Sequence, residues 1–128
     1  MTRKIAVLVG SLRKDSFSRK IARNIEALAP AGYTSEEVDI SKVGFYNQDL
    51  DGNPPAEWLD LRAKVNSADA VLFVTPEYNR SVPGVLKNAI DILSRPYGHS
   101  AFNGKPAAVV SNSPGNIGGF GAHHHLRQ

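Results

Sequence analysis

Three stretches of this chain are apolar without interruption: Ile5, Ala6, Val7, Leu8 and Val9; Ala70, Val71, Leu72, Phe73 and Val74; and Ala107, Ala108, Val109 and Val110. A strand with one wet face alternates apolar and polar residues, whereas a strand covered on both faces is apolar throughout. Runs this short read as strands rather than helices. Three doubly buried strands predict a parallel sheet, because each parallel connection lays a helix over one face or the other.

The intervening residues supply those helices. Residues 11–18 are polar and turn-like. From Ser18 a helix is expected, because Phe17, Ile21, Ile25 and Leu28 recur every three or four residues and form one apolar stripe, until Pro30, Ala31 and Gly32 stop it. Residues 33–40 alternate weakly, with Val38 and Ile40 apolar, and read as a second, shorter strand. Residues 42–55 carry Gly44, Asn47, Gly52, Asn53, Pro54 and Pro55 and read as a long loop. Helical spacing returns at 56–67 through Trp58, Leu61 and Val65. It returns again at 84–94 through Val85, Leu86, Ala89, Ile90 and Leu93, with Pro83 just ahead of the first turn. Residues 123–128 read as a helix just beginning. The alternation of strand and helix predicts an α/β fold with helices on both faces and right-handed crossovers. Its fourth strand is a very apolar edge, which natural sheets avoid exposing. A further part of the domain or a partner is therefore expected to cover residues 107–110.

The 128 residues are material for one domain. The chain has no cysteine, which excludes disulfides, thiolate nucleophiles and cysteine-ligated metals. No apolar run approaches the roughly 18 residues that cross a bilayer. The first run is also too short for a secretory core of about 7–15 residues, so a cytoplasmic protein away from membranes is expected. Net charge is +3. The densest positive stretch is Arg13, Lys14, Arg19, Lys20 and Arg23, with only Phe17 interleaved and no nucleic-acid motif. It reads as a solvated helix face or a local attraction for phosphate, with a nucleic-acid surface disfavoured. His123, His124 and His125 project about 100° apart on a helix and cannot converge on one ion, so no metal site is expected. No carboxylate pair or Ser–His–Asp spacing marks a catalytic side chain.

In an open parallel sheet, ligands bind beyond the carboxyl ends of the strands, where the strand order reverses. That singles out three loops. Residues 10–18 offer Ser11, Ser16 and Ser18, the guanidinium of Arg13 and the free N–H groups of a helix start, which together suit an anion. The Gly-Lys-Ser/Thr ending of a P-loop is missing, and Gly10 is the only glycine, so neither an NTPase loop nor a dinucleotide fingerprint is present. The plain alternative is an ordinary helix capped by Ser16 or Ser18. Residues 76–83 are stiffened by Pro76 and Pro83 and carry Glu77, Tyr78 and Asn79. They suit the edge of a flat heterocycle, or else form a surface loop with a solvated Glu77. Residues 112–121 hold glycines that permit close backbone approach to a ligand.

At these loops the sequence resembles the NADPH-dependent FMN reductase family of flavodoxin-like proteins, with the bacterial quinone and chromate reductases as the nearest branch. The resembling stretches are residues 10–18, 75–91, 104–106 and 125–128. The block from Pro76, Glu77, Tyr78 and Asn79 to Leu86, Lys87, Asn88, Ala89, Ile90 and Asp91 is the most specific. The resemblance implies a flavodoxin-like doubly wound parallel sheet of order 2-1-3-4-5. The fifth strand and last helix are missing, so residues 1–128 would be a single, C-terminally incomplete FMN-binding domain. It implies a flavin phosphate held by Ser11, Arg13, Ser16 and Ser18, with Phe17 nearby. It places the isoalloxazine edge at Pro76, Glu77, Tyr78 and Asn79, and completes the site with Asn112, Ser113 and Gly115. FMN would carry the chemistry. NADPH or NADH would give a hydride to flavin N5 in a ping-pong, two-electron reaction, with quinones, chromate or azo compounds as small-molecule acceptors. A homodimer or homotetramer is implied. Two departures stand out: Asp15 where glycine is common, and Asn112 where a hydroxyl residue is frequent. A flavodoxin-type electron carrier and a non-catalytic FMN-binding fragment are the competing readings. A dehydrogenase binding only NAD(P) is disfavoured by the first loop.

Overall fold

The computed structural model describes residues 1–128. Strand β1 (Arg3–Val9) leads to helix α1 (Phe17–Ala27), β2 (Tyr33–Glu37), α2 (Ala56–Asn66), β3 (Ala70–Thr75), α3 (Gly84–Leu93), β4 (Ala107–Ser111) and α4 (Phe120–Arg127). The strands form one parallel sheet of order β2-β1-β3-β4. The two longest apolar runs lie side by side at its centre, Val7 opposite Leu72 and Val9 opposite Val74.

Alternate residues of these central strands feed two separate cores. Ala6, Leu8, Val71 and Phe73 point to one face, where Trp58, Leu61 and Val65 of α2 and Leu86, Ala89, Ile92 and Leu93 of α3 cover them. Val7, Val9, Leu72 and Val74 point to the other face, against Ala22, Ile21 and Ile25 of α1. Each fully buried large side chain contributes about 1.5–3 kcal/mol relative to exposure, so the two layers account for the unbroken apolar runs. The helices divide between the faces for a topological reason. The connection from β1 to β2 moves one way along the sheet, and those from β2 to β3 and β3 to β4 move the other way. With right-handed crossovers throughout, opposite directions require opposite faces. The segments leaving β1 and β3 therefore part, and a crevice opens above the carboxyl ends of those two strands.

The structure refines several sequence expectations. Helix α1 begins at Phe17, one residue early, because Ser16 caps it by accepting the Arg19 N–H at 3.1 Å. Strand β2 ends at Glu37, although Val38 still donates to the Val7 carbonyl at 2.9 Å and Val38 and Ile40 are both buried. The chain then turns on Asp39, whose carboxylate accepts the N–H and Oγ of Ser41 at 2.8 and 2.6 Å. Those two bonds hold its pKa below the usual value. Residues 42–55 are more ordered than a long loop. They contain a 3₁₀ turn, Gln48–Leu50. Trp58 donates to the Val43 carbonyl at 2.6 Å and stacks on Tyr46 with ring centroids 5.6 Å apart, and Asn88 bonds both Gly44 and Tyr46.

The last helix is longer than expected and starts earlier, at Phe120. Gly119 takes a left-handed conformation (φ 77°) that turns the chain into it, and Ala122 is fully buried. Strand β4 is the sheet edge, as expected, but it is not buried on both faces as its apolar run suggests: none of its residues is fully buried, because it has a neighbouring strand on one side only. Ala107 and Ala108 are exposed, and no element within these residues covers that edge.

Gly10 follows β1 at the lip of the crevice, donating to the Val74 carbonyl at 2.9 Å. A Cβ there would lie 2.6 Å from Thr75 Oγ1 and 3.2 Å from Leu86 Cδ2. Gly10→Ala is expected to destabilise the protein by about 1–3 kcal/mol, the usual cost of overpacking a filled interior. Urea denaturation monitored by circular dichroism measures it.

Candidate functional site

The β1–α1, β3–α3 and β4–α4 loops meet at a cleft of about 150 Å³ above the carboxyl ends of β1, β3 and β4. The first loop contributes Ser11, Arg13, Ser16, Phe17 and Ser18; the second Pro76, Glu77 and Tyr78; the third Asn112, Ser113 and Pro114. Ten of the twelve residues singled out from sequence thus line one cleft. Asn79 and Gly115 do not. Asn79 sits with Arg80 at the tip of a tight turn, both at positive φ (51° and 62°), closed by reciprocal backbone bonds between Tyr78 and Ser81. Gly115 accepts from the Ser113 hydroxyl and shapes the third loop from within.

Hydrogen bonding decides what each polar group has to offer. Ser11 Oγ accepts the Arg13 N–H at 3.3 Å and Ser16 Oγ accepts the Arg19 N–H at 3.1 Å. Neither hydroxyl proton has an acceptor within the chain, so both are available as donors. The Ser18 proton goes to Asn112 Oδ1 at 2.6 Å, which ties the first loop to the third and leaves the Asn112 amide NH₂ free to donate. Asn112, where a hydroxyl residue is frequent in the resembled family, is thereby the bridge between two loops. Ser113 is spent locally: its Oγ donates to the Gly115 carbonyl at 2.9 Å and accepts the Gly118 N–H at 3.0 Å. The N–H groups of Phe17 and Ser18, at the positive end of α1, have no acceptor in the chain. Arg13 has no carboxylate partner; its guanidinium lies 5.8 Å from the Phe17 ring centroid. Asp15 does not line the cleft.

Glu77 lines the cleft, and its carboxylate is also engaged within the chain. Oε2 accepts the Ala122 N–H in the first turn of α4 at 3.1 Å, and Oε1 pairs with Arg80. It joins the second loop to α4. Gly121 makes this contact possible, since a Cβ there would fall 2.5 Å from the Arg80 carbonyl oxygen and 2.7 Å from Glu77 Oε2. Sequence reading missed Gly121, Pro114 and the role of Arg19. Arg19 donates to the carbonyls of Ser11 and Arg13 and pairs with Glu37 at the end of β2. A base in the first turn of α1, opposed to the helix dipole, is the signal that could have drawn attention to it. The histidines diverge: His125 Nδ1 is 2.9 Å from Ser81 Oγ, while His124 stacks on Phe120 with centroids 5.8 Å apart.

This donor set fits a phosphorylated flavin. Hydroxyl protons, open helix N–H groups and an uncompensated guanidinium suit a phosphate, and the exposed Tyr78 beside Pro76 offers flat apolar packing next to it. A more open depression of about 710 Å³ lies at the amino-terminal end of the sheet among Arg3, Tyr33, Asp69 and Lys105. Its Arg3 and Asp69 already pair with each other at 3.5 Å, and no helix start faces it.

A parallel sheet of order 2-1-3-4 with a nucleotide-suited cleft at its switch point defines a flavodoxin-like protein. Residues 3–128 match the model of the NADPH-dependent FMN reductase family. The chain is 58% identical over 125 residues to a quinone reductase of Pseudomonas putida KT2440, covering 97% of this chain and 67% of that protein. It is 48% identical over 127 residues to a 2-hydroxy-1,4-benzoquinone reductase of a Burkholderia species, covering 99% and 69%. The solved structure of FerB, an NAD(P)H:(acceptor) oxidoreductase of Paracoccus denitrificans, superposes with a TM-score of 0.92 at 45% identity, covering 98% of this chain and 69% of that one. The chain belongs to the NADPH-dependent FMN reductase family. It is an oxidoreductase of the FMN- and NAD(P)H-dependent kind, and no helix in it is long and apolar enough to cross a membrane.

Removing the Glu77 carboxylate leaves the Ala122 N–H and Arg80 without their partner. Glu77→Ala is expected to cost about 1–3 kcal/mol of stability. It is also expected to raise amide hydrogen exchange selectively at the start of α4, which mass spectrometry of peptic fragments reads.

Proposed function

We propose that this protein reduces quinones to hydroquinones with electrons from NADPH or NADH, using FMN held in the cleft between the three loops. The observation that carries this reading is the convergence of Ser11, Arg13, Ser16, Tyr78 and Asn112 on one crevice. The names of the quinone reductase relatives support the choice of acceptor. When bound, FMN would supply the two-electron redox chemistry that links the nicotinamide donor to the acceptor.

The chain's own residues supply position and electrostatics. Arg13, the Ser11 and Ser16 hydroxyl protons and the N–H groups of Phe17 and Ser18 hold the phosphate, and Phe17 shields its approach. Pro76 and Tyr78 pack the ring edge. Glu77, Asn79, Ser113 and Gly115 act by shaping the loops that carry the contacts. Asn112 donates its amide beside the phosphate end of the cleft. No side chain is committed to proton transfer, so the proton that completes quinone reduction comes from solvent. Donor and acceptor use the same open rim in turn, and such a rim accommodates chromate and azo compounds as well. The reaction belongs in the cytoplasm, on a homo-oligomer. Residues 1–128 act as a single FMN-binding domain whose β4 edge has room for a fifth strand.

Purified protein supplied with FMN is expected to stay yellow on removal of free flavin, and to oxidise many equivalents of NADPH or NADH when a quinone is present. A colourless protein rejects the reading in favour of a non-catalytic fragment. A yellow protein that does not oxidise nicotinamide rejects it in favour of an electron carrier. Arg13→Ala is expected to weaken FMN binding by about 1.5–3 kcal/mol, the size of a charge-assisted hydrogen bond, in a fluorescence-quenching titration. An unchanged affinity removes Arg13 from the phosphate site.

A further inference from the structure

Arg19 occupies the first turn of α1, where the dipole favours acids over bases. Its side chain turns back out of the helix. Nη1 donates to the Arg13 carbonyl at 3.0 Å, Nη2 to the Ser11 carbonyl at 3.0 Å, and Nε to Glu37 Oε1 at 2.7 Å. One guanidinium thus grips two carbonyls of the β1–α1 loop and is itself held by a carboxylate at the end of β2. Arg19 does not line the cleft, whereas Ser11 and Arg13 both do. Each peptide unit is planar and trans, so a carbonyl held toward Arg19 turns the following N–H the other way. Those N–H groups belong to Leu12 and Lys14, and neither finds an acceptor in the chain. The planar fork matters here, because three directed donors in one plane suit two carbonyls and a carboxylate in a way that one ammonium does not.

We propose that Arg19, anchored by Glu37, is a positioning residue. It sets the conformation of residues 11–14 so that the cleft binds phosphorylated flavin in preference to riboflavin. The proposal rests on the reading of the cleft as the FMN site. Arg19 touches no phosphate itself. It acts by holding Ser11 and Arg13 where they face one. An exposed ion pair contributes little stability by itself, so the Glu37 contact serves to orient the guanidinium.

Equilibrium dialysis of FMN and of riboflavin against the wild-type protein, Arg19→Gln, Arg19→Lys and Glu37→Gln tests it. Arg19→Gln is expected to weaken FMN binding about tenfold or more while changing riboflavin binding less than about twofold, the loss expected when charge-assisted contacts are misplaced. Arg19→Lys is expected to follow Arg19→Gln, and Glu37→Gln to lose FMN affinity in the same direction by a smaller factor. Riboflavin binding doubles as a report that the fold survives. Equal losses for both flavins in Arg19→Gln mean a merely structural role and overturn the proposal. Wild-type FMN affinity in Arg19→Gln or Arg19→Lys overturns it too, and an unaffected Glu37→Gln removes the anchor. If the wild-type protein itself binds FMN and riboflavin equally, the phosphate assignment fails. If it discriminates and Arg19→Gln discriminates as well, only the role of Arg19 fails.

Discussion

The pairing of β1 with β3 is the constraint from which the rest of this structure follows. Five residues of each strand lie in register, Ile5 against Ala70 through Val9 against Val74, and both strands are covered above and below. Because β1 sends its chain one way and β3 sends its chain the other, right-handed crossovers place α1 on the face opposite to α2 and α3. The crevice between the departing loops is thus a consequence of strand order. The chemistry of the site is then written on loops whose ends a rigid sheet holds in place.

Those loops are fastened to one another as well as to the sheet. Ser18 and Asn112 join the first to the third, Glu77 joins the second to α4, and Arg19 ties the first to the end of β2. These ties use polar atoms, yet donors remain on residues that line the cleft: the protons of Ser11 and Ser16, the amide of Asn112 and the guanidinium of Arg13. A cleft built in this way is preorganised, since its donors are oriented before any ligand arrives. This agrees with an oxidoreductase in which the cofactor carries the reaction and the protein supplies position and electrostatics.

The chain spans about two thirds of the length of the relatives it matches. Its residues nonetheless contain all four strands and three loops that make the cleft. What they leave bare is the outer edge of β4, where Ala107 and Ala108 are exposed. An apolar strand at an open sheet edge is a template for pairing. The sheet therefore offers its open edge at the side away from β2.

Local sequence determined the architecture and the three loops, because doubly buried strands must be apolar throughout and helices must carry a stripe, and both patterns can be read without knowing what lies opposite. The motif from Pro76 to Asp91 likewise carried the family. The spending of each polar group was decided only by the tertiary structure. Glu77 and Ser113 line the cleft, but nothing in a string of letters shows that their side chains are also tied to Ala122 and Gly118, which come from elsewhere in the fold or from the far side of a loop. Arg19 looks like one more charge on a solvated helix until Glu37, eighteen residues on, is brought beside it. A hydrogen bond depends on distance and direction at the ångström scale, and the pattern of residue types along a chain carries neither for partners that only folding brings together.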